Sequence, residues 1–204
     1  MTVNTRPGAT SPLNGASHGD AASVFMEEVP FTPGYDVRVQ PGTDAYRAVC
    51  AALGVQLPTT VGSVARGAGQ VCMGQPGYDA QAPSISALTL GPDWWFVTGN
   101  QDVAALLEPL RAEHHISIVD VSAQRTKVEV YGPNARTVLE HVWEQDLRPA
   151  HFGIDACSQG LIAKAPVIMW HCCDGASGCY LLFVRSSFAT HVWEVLTDAT
   201  VEYL

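Results

Sequence analysis

The chain has 204 residues, of which 47% are hydrophobic and only 15% are charged. Its 11 basic and 20 acidic residues give a formal net charge of −9, which disfavours binding to a phosphate backbone and argues against a nucleic-acid-binding protein. The length suffices for one substantial core or for two small lobes that share one. The fraction of charged residues is low compared with the ~25% that is usual in soluble domains, which indicates apolar surface that a partner would cover.

The composition also bears on the compartment. No apolar run approaches the ~18–20 residues of a membrane helix, and the N-terminus lacks the apolar segment of a signal peptide. We therefore expect a cytoplasmic protein without a membrane partner. The six cysteines are irregularly spaced in a chain too long to depend on disulfides, which fits reduced thiols.

Residues 1–24 are rich in Gly, Ser, Thr, Asn and Pro. They cannot bury enough apolar surface to offset their ordering entropy, so they predict a flexible N-terminal arm. Alternating apolar residues over 35–39 predict the first strand, and Thr43 is a good N-cap for a helix that reaches Gly54. Residues 57–78 predict a loop with a short strand near 63–65.

Two apolar runs, 85–90 and 94–98, are separated by Gly91-Pro92-Asp93 and predict a hairpin. Asp102 can cap the helix that follows, although Pro109 disfavours its last turn. Residues 116–136 then predict two adjacent antiparallel strands, joined by a tight turn and followed by a helix after Gly132-Pro133-Asn134. The remaining predicted elements are a connector over 146–155, strands over 160–164 and 167–170, a turn at Asp174-Gly175, a strand over 180–184, and a final helix capped by Ser186 or Ser187.

This order of strands and helices lacks the strict alternation of a doubly wound parallel sheet. Antiparallel hairpins with interspersed helices predict an α+β fold, with two ferredoxin-like or split βαβ lobes and mainly antiparallel sheets. We place the folded domain at 25–204 and its lobes at about 25–114 and 115–204.

The strongest candidate metal site is His171-Cys172-Cys173-x5-Cys179, since thiolates and imidazole are zinc ligands. Successive strand residues face opposite ways, so Cys172 and Cys173 should not share an ion, and the usual pair of C-x₂₋₄-C knuckles is missing. Small thiols that fill a hairpin are the favoured interpretation. We predict no metal-binding residue.

Asp120, Ser122 and His115 contain the residue types of a hydrolase triad, but no G-x-S-x-G elbow is present. Asp120 and Ser122 are better explained as side chains that hold a turn. The glycine-rich residues 62–69 lack the Lys-Ser/Thr ending of a phosphate loop and predict a mobile or partner-facing loop. We therefore predict no catalytic and no cofactor-binding residue on this chain.

Trp94 and Trp95 are neighbours on a strand, so one should enter the core while the other can anchor an interface. Arg125 and Arg136 flank a strand and favour structural ion pairs or carboxylate clamps over catalysis.

Six segments in series resemble the gamma subunit of heterotetrameric sarcosine oxidase, a family related in fold to the folate-binding aminomethyltransferase domains. They span residues 50–200 with a gap at 62–78. The segments are ALGVQLP (52–58), LTLGPDWWFVTG (88–99), VDVSAQRTKVEVYGPNAR (119–136), DLRPAHF (146–152), CSQGLIAKAPVIMW (157–170) and LLFVRSSFATHVWEVLTDA (181–199).

The resemblance implies a structural, non-catalytic gamma subunit with alpha, beta and delta subunits as partners. In this family the complex converts sarcosine, O2 and either tetrahydrofolate or water into glycine, methylene-tetrahydrofolate or formaldehyde, and H2O2. The partners carry FAD, FMN, NAD and tetrahydrofolate, the smallest subunit carries zinc, and the gamma chain carries no cofactor. The candidate partner interface comprises Trp94, Trp95, Arg125, Arg148 and Phe152.

Other functions stay open from the sequence. One is a gamma subunit of a related oxidase or dehydrogenase for another N-methyl amino acid. Another is a free-standing folate-binding one-carbon transferase, and a third is a metal or redox module built on the cysteine hairpin.

Overall fold

The computed structural model describes residues 10–67, 84–173 and 178–204. Within these ranges eleven strands form two sheets, and each paired strand is antiparallel to its neighbour. The strands are β1 (Ser17–Asp20), β2 (Val24–Val29), β3 (Gly34–Arg38), β4 (Val64–Arg66), β5 (Ile85–Gly91), β6 (Trp94–Gly99), β7 (Ser117–Asp120), β8 (Arg125–Tyr131), β9 (Cys157–Ile162), β10 (Ala165–Cys173) and β11 (Cys179–Arg185).

The helices of the described ranges lie between these strands. The α-helices are α1 (Asp44–Leu53), α2 (Val103–Leu107), α3 (Ala135–Val142) and α4 (Ala189–Ala199), and short 3-10 helices span Glu108–Ala112, Ser122–Gln124, Ser186–Phe188 and Val201–Tyr203. The α+β prediction with mainly antiparallel sheets is confirmed. No helix in the part of the chain that the structure describes is long and apolar enough to cross a membrane.

The larger sheet has the order β1-β2-β8-β11-β10-β9, and the smaller sheet has the order β4-β5-β6-β3-β7. Apolar side chains of α3 and α4 pack on the outer face of the larger sheet, whereas those of α1 and α2 pack on the smaller one. The inner faces of the two sheets pack on each other, where the rings of Phe96 and Phe183 lie 5.0 Å apart at 67°. The molecule thus has four layers, with helices outside and two sheets inside.

Local signals set the elements around α1 and the following hairpin as the sequence predicts. The Thr43 hydroxyl accepts a hydrogen bond from the Tyr46 amide at 3.2 Å, and Gly54 ends the helix with a φ of 64°. β5 and β6 pair as predicted, and Asp102 caps α2 through the Ala105 amide at 3.0 Å. The chain continues as a 3-10 helix at Pro109, because proline cannot donate the α-helical hydrogen bond.

The prediction of a flexible N-terminal arm is wrong for the part of residues 1–24 that the structure describes. β1 pairs with β2, and β2 pairs with β8 inside the larger sheet. The buried carboxylate of Glu28 accepts hydrogen bonds from the Ser11 hydroxyl and from the Gly15 amide at 2.8 Å. Backbone pairing and this carboxylate supply the order that the composition lacks. Residues 1–9 lie outside the described residues.

The predicted pairing of the two central strands is also wrong. β7 pairs with β3 in the smaller sheet, while β8 pairs with β2 and β11 in the larger one. The 3-10 turn Ser122–Gln124 therefore carries the chain from one sheet to the other. For the same reason the lobes do not divide at residue 114, since β2 belongs with the C-terminal strands and β7 with the N-terminal ones.

Ser186 and Ser187 do not cap α4. They belong to a 3-10 turn, and Phe188 precedes α4 without a side-chain capping bond. The short strand near 63–65 is confirmed as β4, which ties residues 62–66 to the fold instead of leaving them as a loop. The predicted turn at Asp174-Gly175 and the stretch 68–78 lie outside the described residues.

Candidate functional site

Trp94 lies at the border of the two sheets, half-buried. Its indole nitrogen donates a hydrogen bond to the Asp36 carboxylate at 3.1 Å, and the Arg38 guanidinium lies 4.9 Å from its ring centroid. Arg38 also forms an ion pair with Asp93 at 3.3 Å. The indole is thus held in place with part of its ring still open to a partner.

Arg125 reaches the same border from the larger sheet. It stands directly opposite Arg185 across β8 and β11, and like charges in that position destabilise a sheet. Burial, followed by the charge of Arg185, lowers the pKa of Arg125, whereas Asp36 raises it. Within the described residues no carboxylate forms an ion pair with Arg125. The guanidinium therefore interacts with Asp36 only at longer range and has room for a direct ion pair with a partner carboxylate.

Val119 completes this surface. It pairs with Asp36 across β3 and β7, and the residue is 50% exposed on the edge strand of the smaller sheet. We name Asp36, Trp94, Val119, Arg125 and Arg185 the border patch. An apolar edge beside an aromatic ring and two arginines is suited to contact a protein surface that carries a carboxylate.

The five predicted interface residues divide in the structure. Trp94 and Arg125 belong to the border patch, and Arg148 is exposed. Trp95 is 0% exposed and donates to the Pro58 carbonyl at 2.8 Å, so it cannot contact a partner. Phe152 is also buried, with its ring stacked 6.2 Å from that of His171. These two predictions are wrong because strand alternation and the connector direct both rings into the core.

Arg148 forms a short-range clamp on the surface. Its guanidinium donates to both oxygens of Asp146, at 2.9 Å from Nε to Oδ2 and 3.0 Å from Nε to Oδ1. These hydrogen bonds lower the pKa of Asp146 to about 2. The clamp fixes the start of the connector after α3, and its open position keeps Arg148 available to a partner.

A second candidate site is the thiol cluster, which we define as Cys172, Cys173 and Cys179. A β-bulge lies between His171 and Cys173, so that two residues of β10 stand opposite one residue of β11. All three thiols are buried, and their sulfur atoms lie within 4.8 Å of one another. The alternation argument against a shared site is therefore wrong, because the bulge interrupts the alternation.

Polar groups of β8 lie beside the thiol cluster. Glu129 is 3% exposed, one of its oxygens pairs with Lys127 Nζ at 2.6 Å, and its Oε2 has no hydrogen-bond partner. The bond with Cys172 lowers the pKa of the Cys179 thiol, but the bond with Cys173 and burial together raise it well above its usual range. The charge of Glu129 adds to this rise. The Cys179 thiol therefore stays protonated unless something replaces the proton.

His171 lies apart from the thiol cluster. Its Nδ1 donates to the Phe152 carbonyl at 3.1 Å, and its ring stacks on Tyr180 at 4.6 Å. Tyr180 belongs to the core on the outer face of the larger sheet, and its hydroxyl accepts a hydrogen bond from Arg136 at 2.9 Å. Arg136 therefore has a structural contact, and the imidazole is not grouped with the three sulfur atoms.

The residues of the hydrolase pattern hold a turn, as predicted. Asp120 accepts a hydrogen bond from the Ser122 amide at 2.9 Å, and the Ser122 hydroxyl accepts one from the Gly34 amide at 3.0 Å. This turn connects the last strand of the smaller sheet to the larger sheet. Ser122 is engaged in architecture and not presented as a nucleophile.

Several site residues escaped the sequence analysis. Asp36, Val119 and Arg185 come from three separate strands, and only sheet register brings them together. Glu129 gave no signal of its burial, because a charged residue that alternates with Val128 and Val130 predicts a solvent-facing position.

Sequence comparisons with known proteins identify one family. A family model described as the sarcosine oxidase, gamma subunit family matches residues 39–202. Sarcosine oxidase subunit gamma from Arthrobacter sp is 32% identical over 191 residues, which cover 92% of this chain and 85% of that protein. The subunit gamma of Corynebacterium sp. (strain P-1) is 30% identical over 190 residues, covering 92% of this chain and 85% of that protein.

Solved structures give the same result. The heterotetrameric sarcosine oxidase from Corynebacterium sp. U-96, in complex with pyrrole 2-carboxylate, contains a chain that matches with a TM-score of 0.79 and 27% identity over 96% of both chains. The glycine cleavage system aminomethyltransferase T from Bartonella henselae matches with a TM-score of 0.58 and 11% identity, over 91% of this chain and 56% of that one. The second match concerns the fold alone.

Proposed function

Because the chain belongs to the sarcosine oxidase gamma subunit family, we propose that it is a non-catalytic structural subunit of a heterotetrameric, flavin-dependent sarcosine oxidase. The complex would oxidise sarcosine with O2 to glycine and H2O2. The one-carbon unit would pass to tetrahydrofolate or leave as formaldehyde after addition of water. Alpha, beta and delta subunits are the proposed partners, and they would carry FAD, FMN, NAD, tetrahydrofolate and, on the smallest, zinc.

The observation that carries the proposal is the extent of the match to a chain of the heterotetrameric enzyme. It covers 96% of both chains, so the alignment includes both sheets and all four layers. Contacts with the other subunits would involve surface residues along the whole chain. Because the match extends over the whole chain, it supports a similar position in a heterotetramer.

The layer between the two sheets supports a structural role for this chain. Large apolar side chains fill it, among them Phe96, Trp170 and Phe183. A catalytic or pterin-binding site needs convergent polar groups around a cavity. Trp170 is instead held by a hydrogen bond from its indole nitrogen to Asp155 at 3.2 Å. The described inner faces therefore favour packing over chemistry.

The border patch is the proposed contact with a large subunit. Trp94 would supply the aromatic anchor, Val119 the apolar edge and Arg125 the charge that a partner carboxylate neutralises. Arg148, on the connector, would add a second contact. The binding free energy would come from burying apolar surface and from pairing the half-buried Arg125 cation. This chain would contribute no reacting group to the interface.

Co-purification tests the assembly. The tagged full-length chain, expressed with the other subunits, should retain three further chains and the absorbance of bound flavin. In Val119→Asp we expect at least ~10-fold less retained flavin, because a charge at the centre of an apolar contact is costly. Val201→Asp is the matched control, since Val201 is 69% exposed outside the border patch.

The outcomes separate the functions that the sequence left open. Retention of partners with sarcosine-dependent H2O2 production supports the proposal, whereas faster turnover of another N-methyl amino acid would identify a related oxidase. Specific tetrahydrofolate binding or turnover by the chain without partners would refute the structural role. It would support the one-carbon transferase instead.

A further inference from the structure

We propose that the thiol cluster binds one soft divalent metal ion, Zn²⁺ in the first place, as a structural clamp between β8, β10 and β11. The inference goes beyond the subunit role and does not depend on it. It begins with the bulge in β10, which places the thiols of Cys172 and Cys173 on the same side as that of Cys179.

The distances suit a small thiophilic ion. Zn–S bonds of ~2.3 Å in a tetrahedral site hold two sulfur atoms about 3.8 Å apart. The three sulfur atoms of the thiol cluster already lie within 4.8 Å of one another. A contraction of about 1 Å, within the reach of side-chain rotation, brings them to metal-bonding distance.

Glu129 gives a second and independent indication of a ligand. Its Oε2 is buried without a hydrogen-bond partner, which is costly for a carboxylate. Glu129 stands opposite Leu181, two residues along β11 from Cys179, and such diagonal neighbours on one face are within reach of long side chains. The observed group of ligand atoms contains the three sulfur atoms and not the Glu129 carboxylate. Glu129 is therefore the candidate fourth ligand only after its side chain turns toward the ion, and binding would then satisfy its free oxygen.

The charges also favour a divalent ion. Three thiolates and one carboxylate around Zn²⁺ leave a charge of about −2, which the neighbouring Lys127 ammonium reduces and Glu27, opposite Glu129 across β2 and β8, increases. A monovalent ion would leave one more negative charge in the same buried position. A hard cation such as Mg²⁺ prefers oxygen ligands and bound water, which three buried thiols do not supply.

A site of this kind would be structural. With four protein ligands it leaves no open position for water or substrate, unlike catalytic zinc sites. It would join the ends of β10 and β11 to the middle of β8 in the larger sheet. The thiols must release their protons to the solvent as the ion binds, and no redox step is involved.

Metal analysis of matched variants tests the proposal in the full chain, together with any subunits that co-purify. Cys173→Ser and Cys179→Ser should each contain about one zinc ion less per chain than the wild type. Cys157→Ser is the control, because Cys157 is a buried thiol outside the cluster. Measuring the difference between variants removes the contribution of zinc on any other subunit.

Cobalt provides a readout that does not require the variants to fold. Co²⁺ added to the reduced, metal-free full chain should produce thiolate-to-metal charge-transfer absorption, and added Zn²⁺ should abolish it. Glu129→Gln keeps the three thiols and should lower the affinity for Zn²⁺ by about 10-fold or more. Equal zinc content in wild type and cysteine variants, or no charge-transfer absorption in the wild type, would overturn the proposal. Failed partner assembly with intact zinc would refute only the subunit role.

Discussion

The two sheets resemble each other on their outer faces and differ on the faces that meet. Each carries two α-helices outside, over a core of aliphatic side chains. On the inner side the smaller sheet contributes apolar residues such as Leu88 and Phe96, whereas the larger sheet adds buried thiols and Glu129. The inner face of the smaller sheet therefore packs mainly through apolar side chains, while that of the larger sheet also contains buried groups that can lose or gain a proton or bind a ligand.

The helices differ in a related way. α1 has a side-chain N-cap at Thr43 and a left-handed glycine at its end, while α3 and α4 begin without side-chain capping bonds. The ends of α1, on the smaller sheet, are set by its own terminal residues. The helices on the larger sheet depend on their apolar faces and on the elements against which they pack.

The largest expected effect concerns the layer shared by both sheets. Phe183→Ala should lower the free energy of unfolding by about 3–5 kcal/mol, because it leaves a cavity against Phe96. Urea denaturation measures the change, and Phe188→Ala is the matched control at a 39% exposed phenylalanine. If the sheets unfold in two separate transitions, the view of one shared core fails.

The next effect concerns the attachment of the N-terminal segment to the larger sheet. Glu28→Ala should lower the free energy of unfolding by about 1–3 kcal/mol. It removes the carboxylate that accepts hydrogen bonds from the Gly15 amide and from the buried Thr126 hydroxyl, whose oxygen lies 2.6 Å from Glu28 Oε1. Hydrogen exchange should increase selectively over residues 11–16. The exposed Glu113→Ala is the control, and unchanged exchange in Glu28→Ala would show that backbone pairing alone orders the segment.

A smaller effect distinguishes the two kinds of helix. Thr43→Ala should lower the free energy of unfolding by about 1 kcal/mol, because the N-cap hydrogen bond of α1 is lost. Ser187→Ala, near the start of α4, should change stability by less than about 0.5 kcal/mol, because the serine makes no capping bond. Thermal denaturation of both variants tests the pair, and equal losses would contradict the contrast between the helices.

The smallest effect concerns the Arg148–Asp146 clamp. Arg148→Ala should raise the pKa of Asp146 from about 2 toward its ordinary value, which NMR titration of the carboxyl group can follow. The clamp favours the folded state above the ordinary carboxyl pKa, and this contribution disappears as the pH falls through about 2. At neutral pH the thermal midpoint should hardly change, since both groups are exposed. Arg111→Ala is the control, and an unmoved Asp146 pKa would rule out the clamp.

Much of the fold could be predicted because its signals are local. The alternation over β3, the turn between β5 and β6, and the Thr43 cap each act within a few residues. The candidate interface could be predicted only in part. Trp94 and Trp95 are neighbours with the same side chain, and only the packing decides that Trp95 is the buried one.

What the sequence by itself determined is the α+β class, the run of strands and helices, and the resemblance to the family to which the chain belongs. The tertiary structure alone decided that β7 and β8 lie in different sheets, that residues 17–20 complete the larger sheet, and that a bulge groups three thiols. The physical reason is range. Caps, turns and alternation depend on adjacent residues, whereas strand register and bulges depend on partners far along the chain.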